Sequence, residues 1–93
     1  HGVVHGAVLY AMADTGMGAA LYSTLDAGYA CATIDISISY FRPVAEGQLL
    51  CETVLDNTGR TIAHLTARIT QNDKLVAQAS GNFAIMSTPP ERR

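Results

Sequence analysis

The segment from Gly6 to Thr24 limits the possible folds of this 93-residue chain more than any other part of the sequence. It is rich in Ala, Leu and Met, which are good helix formers, and its apolar residues recur on almost every side of a helix. A helix that is apolar all round is normally buried. The segment therefore predicts one buried central helix, and four small residues indicate close approach of another backbone: Gly16, Gly18, Ala19 and Ala20.

After this helix and a connection over residues 25–32, the apolar pattern changes to a period of two, which is typical of half-buried strands. Ile34, Ile36 and Ile38 alternate with polar residues, so we expect all three on one face of a strand. The pattern predicts four strands, over residues 33–41, 48–55, 60–70 and 74–86. Turn signals at residues 56–59 and 72–73 allow hairpins to join the later strands.

One helix followed by four such strands predicts an α+β layer structure, in which an antiparallel sheet wraps around the central helix. We expect this domain to span residues 1–86, and residues 87–93, with Pro89-Pro90, to form a loose tail. Hydrophobic residues make up 48% of the chain and charged residues only 15%, so part of the surface should be covered by another subunit. A single helix also keeps a second apolar flank, which predicts a homodimer.

Charge and cysteine usage narrow the choice of partners and compartment. The net charge is −2 and the sequence has no run of Lys or Arg, so we expect neither nucleic acid nor a membrane surface as a partner. The apolar stretch near the start is too short and too polar to span a bilayer. Cys31 and Cys51 have no metal-ligand spacing, so we expect no metal and interpret both as reduced thiols of a cytoplasmic protein.

Asp14 is the most informative single residue, because it carries the only charge of the central helix. A carboxylate in apolar surroundings is costly unless it is paired or hydrogen-bonded, and such groups concentrate at functional sites. Two interpretations remain open from this context. Asp14 is either a functional carboxylate, or part of a narrow polar stripe with Thr15 or a cap on a neighbouring loop.

His5-Gly6 marks the start of the same helix, where backbone N–H groups are unpaired and carry positive partial charge. They can hold an oxyanion, and glycine lets a substrate come close. The simpler alternative is an N-cap glycine beside a packed imidazole. Gly6 and Asp14 lie about 12 Å apart along one helix, so one carbonyl group cannot touch both. Antiparallel helices in a two-fold dimer would bring Gly6 of one chain to Asp14 of the other.

His5-Gly6-Ala7 followed by Ala13-Asp14 resembles the His-Gly-Gly…Asp helix of the hotdog-fold acyl-CoA thioesterases, in particular the phenylacetyl-CoA thioesterase-like (PaaI-like) branch. The strand from Thr33 to Pro43 is similar to the strand that follows that helix in the branch. The resemblance runs from His1 to about Met86, with Ala7 in place of the second glycine. It implies that the first strand and leading helix of the fold are missing, so we interpret the chain as a fragment.

The resemblance also implies an activity: hydrolysis of acyl-CoA thioesters to free acid and CoA, without a metal or other cofactor, by a homodimer or a homotetramer made of two dimers. Asp14 would act as general base for water or as nucleophile. The N–H of the partner's Gly6 would bind the thioester oxygen, and His5 would help to fix that turn. Thr33 would help to place the water or the carboxylate.

Three cations lie at predicted strand ends or turns, where they could meet the phosphates of CoA: Arg42, Arg60 and Lys74. The alternative for each is a solvated surface charge, and we interpret His64 as a packed histidine. Two other functions remain open. A dehydratase of hydroxyacyl thioesters would need His5 opposite a carboxylate, and a non-catalytic acyl-CoA-binding module would bind its ligand without hydrolysis.

Overall fold

The computed structural model describes residues 6–88. One helix precedes four strands, α1 (Gly6–Tyr22), β1 (Tyr29–Tyr40), β2 (Leu50–Thr58), β3 (Ile62–Gln71) and β4 (Lys74–Ser87). The strands form one sheet in the order β1-β4-β3-β2, with every neighbouring pair antiparallel. The helix packs against all four strands. The predicted α+β architecture, one helix against an antiparallel sheet, is therefore confirmed.

Two strands have one end that differs from the prediction by three residues or more, and the other strand ends agree within two residues. β1 begins at Tyr29 and not at Thr33, because the segment that we predicted to be a connection pairs with the end of β4, starting with Tyr29 opposite Ser87. β2 continues to Thr58, through the residues predicted to turn. A register shift between Leu55 and Asn57 makes Asp56 the extra residue of a bulge in that strand.

The turn between β3 and β4 forms where the sequence predicted it. Asn72 and Asp73 have φ angles of 53° and 65°, and the flanking residues Gln71 and Lys74 pair across the ladder. Positive φ at both central residues is the geometry that a two-residue hairpin requires, and Asn and Asp tolerate it better than most residues.

The core lies between one stripe of α1 and the inner face of the sheet. The stripe follows a four-residue spacing, which stacks side chains on one side of a helix, and consists of Leu9, Ala13, Met17 and Leu21. Alternate residues of β3 meet it, and the ring of Phe83 in β4 is 1% exposed. Within one chain the opposite flank of the helix stays uncovered, with Val8 51% and Tyr22 62% exposed. Within residues 6–88, no helix has the length and apolar character needed to cross a membrane.

Gly81 provides a test of this packing. A Cβ at position 81 would lie 2.9 Å from Phe83 Cε1 and 3.2 Å from Met17 Cε. Because Phe83 is enclosed by the core, its ring cannot move away without disturbing other contacts. We expect Gly81→Ala to lower the free energy of unfolding by about 1–3 kcal/mol, measured by urea denaturation.

Gly18→Ala is the matched control. Its Cβ would meet only Phe83 Cε2, at an ordinary contact distance of 3.8 Å, and alanine favours the helix over glycine. We expect this variant to be at least as stable as the native chain. Equal losses at Gly18 and Gly81 would contradict the proposed role of the Phe83 contact.

Candidate active site

The carboxylate of Asp14 is half-buried in the middle of α1 and is held by the neighbouring strand. The hydroxyl of Thr33 in β1 donates a hydrogen bond to Asp14 Oδ1 at 2.7 Å. Among residues 6–88, no donor contacts the second carboxylate oxygen, Oδ2. The arrangement fixes one oxygen of the carboxylate and leaves the other able to accept a proton. The structure thus brings two of the predicted site residues together.

A bulge in β1 gives Thr33 its direction. Thr33 pairs with Phe83 and Asp35 pairs with Asn82, so Ile34 is the extra residue on the β1 side. Directly paired residues share a face of the sheet, which places Thr33 on the helix side with Phe83. Without the extra residue, Thr33 and Asp35 would share one face, since side chains alternate along a strand. The bulge therefore lets β1 present Thr33 to the helix and still direct Asp35 outward.

The same bulge overturns one prediction. The sequence pattern placed Ile34 with Ile36 and Ile38 on the core face of the strand. Ile36 and Ile38 do pack partly buried against the core, but Ile34 is 52% exposed. Neither a glycine nor a proline marks the irregularity in the sequence, so alternation alone could not reveal it.

An apolar groove of about 410 Å³ opens beside Asp14, between α1 and β1. Small residues form much of its walls, including Gly18 and Ala19 on the helix and Cys31 and Ala32 on the strand, and Tyr22 lies near the end of α1. Burial raises the pKa of the Cys31 thiol, so this side chain acts as a neutral wall and not as a thiolate nucleophile. The groove can hold an apolar group next to the carboxylate.

Gly6, the first residue of α1, opens onto a second groove of about 470 Å³, which it shares with Leu9 and residues 40–44. The first N–H groups of a helix have no partner within the helix and carry positive partial charge. Tyr40 also reaches this point, and its hydroxyl donates to the carbonyl oxygen of Gly6 at 2.9 Å. Sequence reasoning missed this contact, because alternation along a strand does not show which distant backbone group a side chain meets.

The other predicted site residues are more scattered. Arg42 lines the Gly6 groove, where its Nε donates to the carbonyl of Leu75 at 3.0 Å. Arg60 lies between β2 and β3 and lines a groove together with Thr24, near the opposite end of α1. His5 lies outside the described residues. The structure therefore brings Arg42 to the helix start and separates Arg60 from it.

His64 lies on the face of the sheet that points away from α1. Its Nδ1 lies 2.8 Å from the amide oxygen of Asn82, and the amide nitrogen of Asn82 donates to Asp35 at 2.9 Å. Because an amide oxygen can only accept, this orientation of Asn82 places the proton on Nδ1. His64 is thus packed into a polar chain on the side opposite Asp14.

Comparison with known proteins places this geometry in context. The profile of the thioesterase superfamily matches residues 1–78. A provisionally assigned esterase of Pseudomonas aeruginosa is 30% identical over 83 residues, which are 88% of this chain and 62% of that protein. The chain therefore spans less than two thirds of the length of this curated relative.

Solved structures show the same architecture. A provisionally assigned thioesterase of Ralstonia eutropha, described as related to phenylacetic acid degradation, is 31% identical with a TM-score of 0.87, over 89% of this chain and 63% of that one. A thioesterase of Haemophilus influenzae is 27% identical with a TM-score of 0.92, over 99% and 65%. A Bacillus halodurans protein solved with CoA is 23% identical with a TM-score of 0.85, over 90% and 56%, and shows likeness of fold alone.

The two thiols give a pH-dependent prediction. Burial raises the pKa of both Cys31 and Cys51, so the folded chain holds these protons more tightly than the unfolded chain. The folded state therefore loses stability as the pH rises above the ordinary cysteine value of about 8.5. We expect iodoacetamide at pH 8 to alkylate the native thiols several-fold more slowly than those of the urea-unfolded chain. Equal rates would contradict their burial as neutral thiols.

Proposed function

The chain belongs to the thioesterase superfamily and has its hotdog fold, and from this premise we propose that it hydrolyses acyl-CoA thioesters to a free acid and CoA. One observation carries the proposal: Thr33 orients the carboxylate of Asp14 at the edge of an apolar groove. An acyl group in that groove would place its thioester carbon next to the unbonded oxygen of Asp14. The names of the relatives, esterase and thioesterase, agree with this class of reaction.

Asp14 has two routes open to it. As a general base, it takes a proton from a water molecule while the water oxygen forms a bond to the thioester carbon. As a nucleophile, its own oxygen forms that bond, and water later cleaves the resulting anhydride. In both routes the carbonyl oxygen becomes an oxyanion. When this intermediate collapses, the C–S bond breaks and the thiolate of CoA leaves and takes up a proton.

The oxyanion needs donors, which the start of a second helix would supply. Preorganised backbone N–H groups aimed at a developing negative charge are an effective way to lower such a barrier. The amide of Gly6 in the same chain lies too far along the helix, about 12 Å from Asp14. We therefore propose a homodimer in which the partner's helix runs antiparallel and offers its own first turn. The exposed apolar flank of α1, with Val8 51% and Tyr22 62% exposed, supports this contact.

The CoA portion would lie toward the Gly6 groove of the chain whose helix start binds the thioester oxygen. Arg42 lines this groove, and its Nη groups can meet a phosphate while its Nε stays bonded to Leu75. The Bacillus halodurans protein shows that a chain of this fold can hold CoA. The roles of His5 and Arg60, the pairing of two dimers into a tetramer and a cytoplasmic location stay predictions.

A dehydratase of hydroxyacyl thioesters requires an imidazole opposite the carboxylate. The histidine found within residues 6–88, His64, points away from α1 and is bonded to Asn82. His64 therefore does not fill this role, and His5, which the dehydratase hypothesis names, lies outside the described residues. A non-catalytic acyl-CoA-binding module would show binding without turnover in the first experiment below.

Asp14→Asn keeps the size of the side chain and removes its basic oxygen. We expect kcat to fall about 10²- to 10⁴-fold. The assay uses a panel of acyl-CoA substrates and measures the rate at which the CoA thiol is released. Asp26→Asn is the matched control, because Asp26 is an exposed acid beyond the end of α1 and should leave kcat unchanged. Circular dichroism and gel filtration would show that both variants keep fold and assembly. Native turnover in Asp14→Asn would remove this carboxylate from the mechanism.

Thr33→Val tests the orientation of the carboxylate separately. Valine has nearly the same volume as threonine and suits a strand, but it cannot donate to Asp14 Oδ1. Loss of one hydrogen bond to a carboxylate should lower kcat about tenfold. Thr33→Ser, which keeps the hydroxyl, should stay within about twofold of the native rate. A native kcat in Thr33→Val, or a loss in Thr33→Ser as large as that in Thr33→Val, would contradict a specific role of the hydroxyl.

A further inference from the structure

Tyr40, the last residue of β1, holds the first peptide group of α1. Its hydroxyl donates to the carbonyl oxygen of Gly6 at 2.9 Å. Its ring lies over the same residue, since a Cβ on Gly6 would be 3.1 Å from Tyr40 Cζ and 3.2 Å from its oxygen. The packing therefore explains why position 6 carries glycine, because a larger residue would press against the tyrosine ring.

The end of β1 is held by contacts with β4, so the position of Tyr40 is well defined. Tyr40 pairs with Ala77 in β4, and the N–H of Phe41 donates to the carbonyl of Val76 at 2.8 Å. The next residue, Arg42, bonds the carbonyl of Leu75 at 3.0 Å. Three successive residues of this strand end are thus anchored to β4. A group that positions another must be held by its own contacts, and Tyr40 meets that condition.

The bond acts on an amide that points out of the helix start. The carbonyl of Gly6 belongs to the same peptide unit as the N–H of Ala7, which is one of the N–H groups without a partner in the helix. A hydrogen bond to the carbonyl polarises the peptide unit and makes its N–H a stronger donor. The same bond resists fraying of the first turn, which is the part of a helix that opens most readily.

We propose that Tyr40 is a positioning residue for the reaction, which fixes and strengthens the amide groups at the start of α1 that hold the thioester oxygen. The inference rests on the proposed function, since those amides would serve the site of the partner subunit. Tyr40 lines the Gly6 groove, but its hydroxyl is bonded to the Gly6 carbonyl and acts through the Gly6–Ala7 peptide. Its loss should therefore change kcat and leave KM nearly unchanged.

Tyr40→Phe is the decisive variant, because it keeps the ring over Gly6 and removes only the hydroxyl. We expect kcat to fall about tenfold, KM to stay within about twofold, and the melting temperature to change little. Tyr29→Phe is the matched control: Tyr29 lies at the other end of the same strand and is similarly exposed, 46% against 49%. It should keep native kcat. A native kcat in Tyr40→Phe, or a loss confined to KM, would overturn the proposal.

A second measurement separates this inference from the proposed function. In ¹⁵N-labelled protein, Tyr40→Phe should shift the amide resonance of Ala7 and speed its exchange with solvent, and Tyr29→Phe should do neither. If the native protein hydrolyses no acyl-CoA, the proposed function fails, and the Ala7 amide alone then decides whether Tyr40 holds the helix start. An unchanged Ala7 amide in Tyr40→Phe would overturn the inference even in an active enzyme.

Discussion

The alignment of α1 along β1 determines where the proposed site residues Asp14 and Gly6 lie. Three contacts set it, each from a side chain of the strand to the helix: Tyr40 to Gly6 at 2.9 Å, Thr33 to Asp14 at 2.7 Å and Cys31 to the carbonyl of Gly18 at 3.8 Å. The apolar stripe that faces the sheet keeps the helix in place but does not define its position along the strand, because aliphatic contacts are not directional. The three polar contacts determine where along the strand the helix lies.

The bulge at Ile34 shows how a small irregularity serves two surfaces at once. The helix side of β1 needs a hydroxyl at position 33, and the outer side carries Asp35, which accepts a hydrogen bond from Asn82. A regular strand would direct both side chains to one face. One extra residue lets the strand satisfy the carboxylate of Asp14 and complete the polar chain that includes His64. As a consequence, the side chain of Ile34 is exposed.

The sequence alone predicted the order of elements, the core helix and the hairpin at Asn72 and Asp73, because these depend on local periodicity and turn chemistry. It misplaced the start of β1 and the end of β2, where pairing with a neighbouring strand extends a segment that carries no alternation of its own. The resemblance supplied the pairing of Thr33 with Asp14. The contact between Tyr40 and Gly6 stayed hidden, because local patterns show which face a residue occupies and not which distant backbone group it meets.

β1 is an edge strand, since β4 is its single neighbour in the sheet formed by residues 6–88. The same strand sets the position of Asp14 and of the first turn of its own helix, and in the proposed dimer these belong to different active sites. A change that slides one helix along its strand by a single residue, about 1.5 Å, would thus misalign the base in one site and the oxyanion donors in the other. One damaged chain would impair both sites of a mixed dimer, so a defective copy could act dominantly over a normal one.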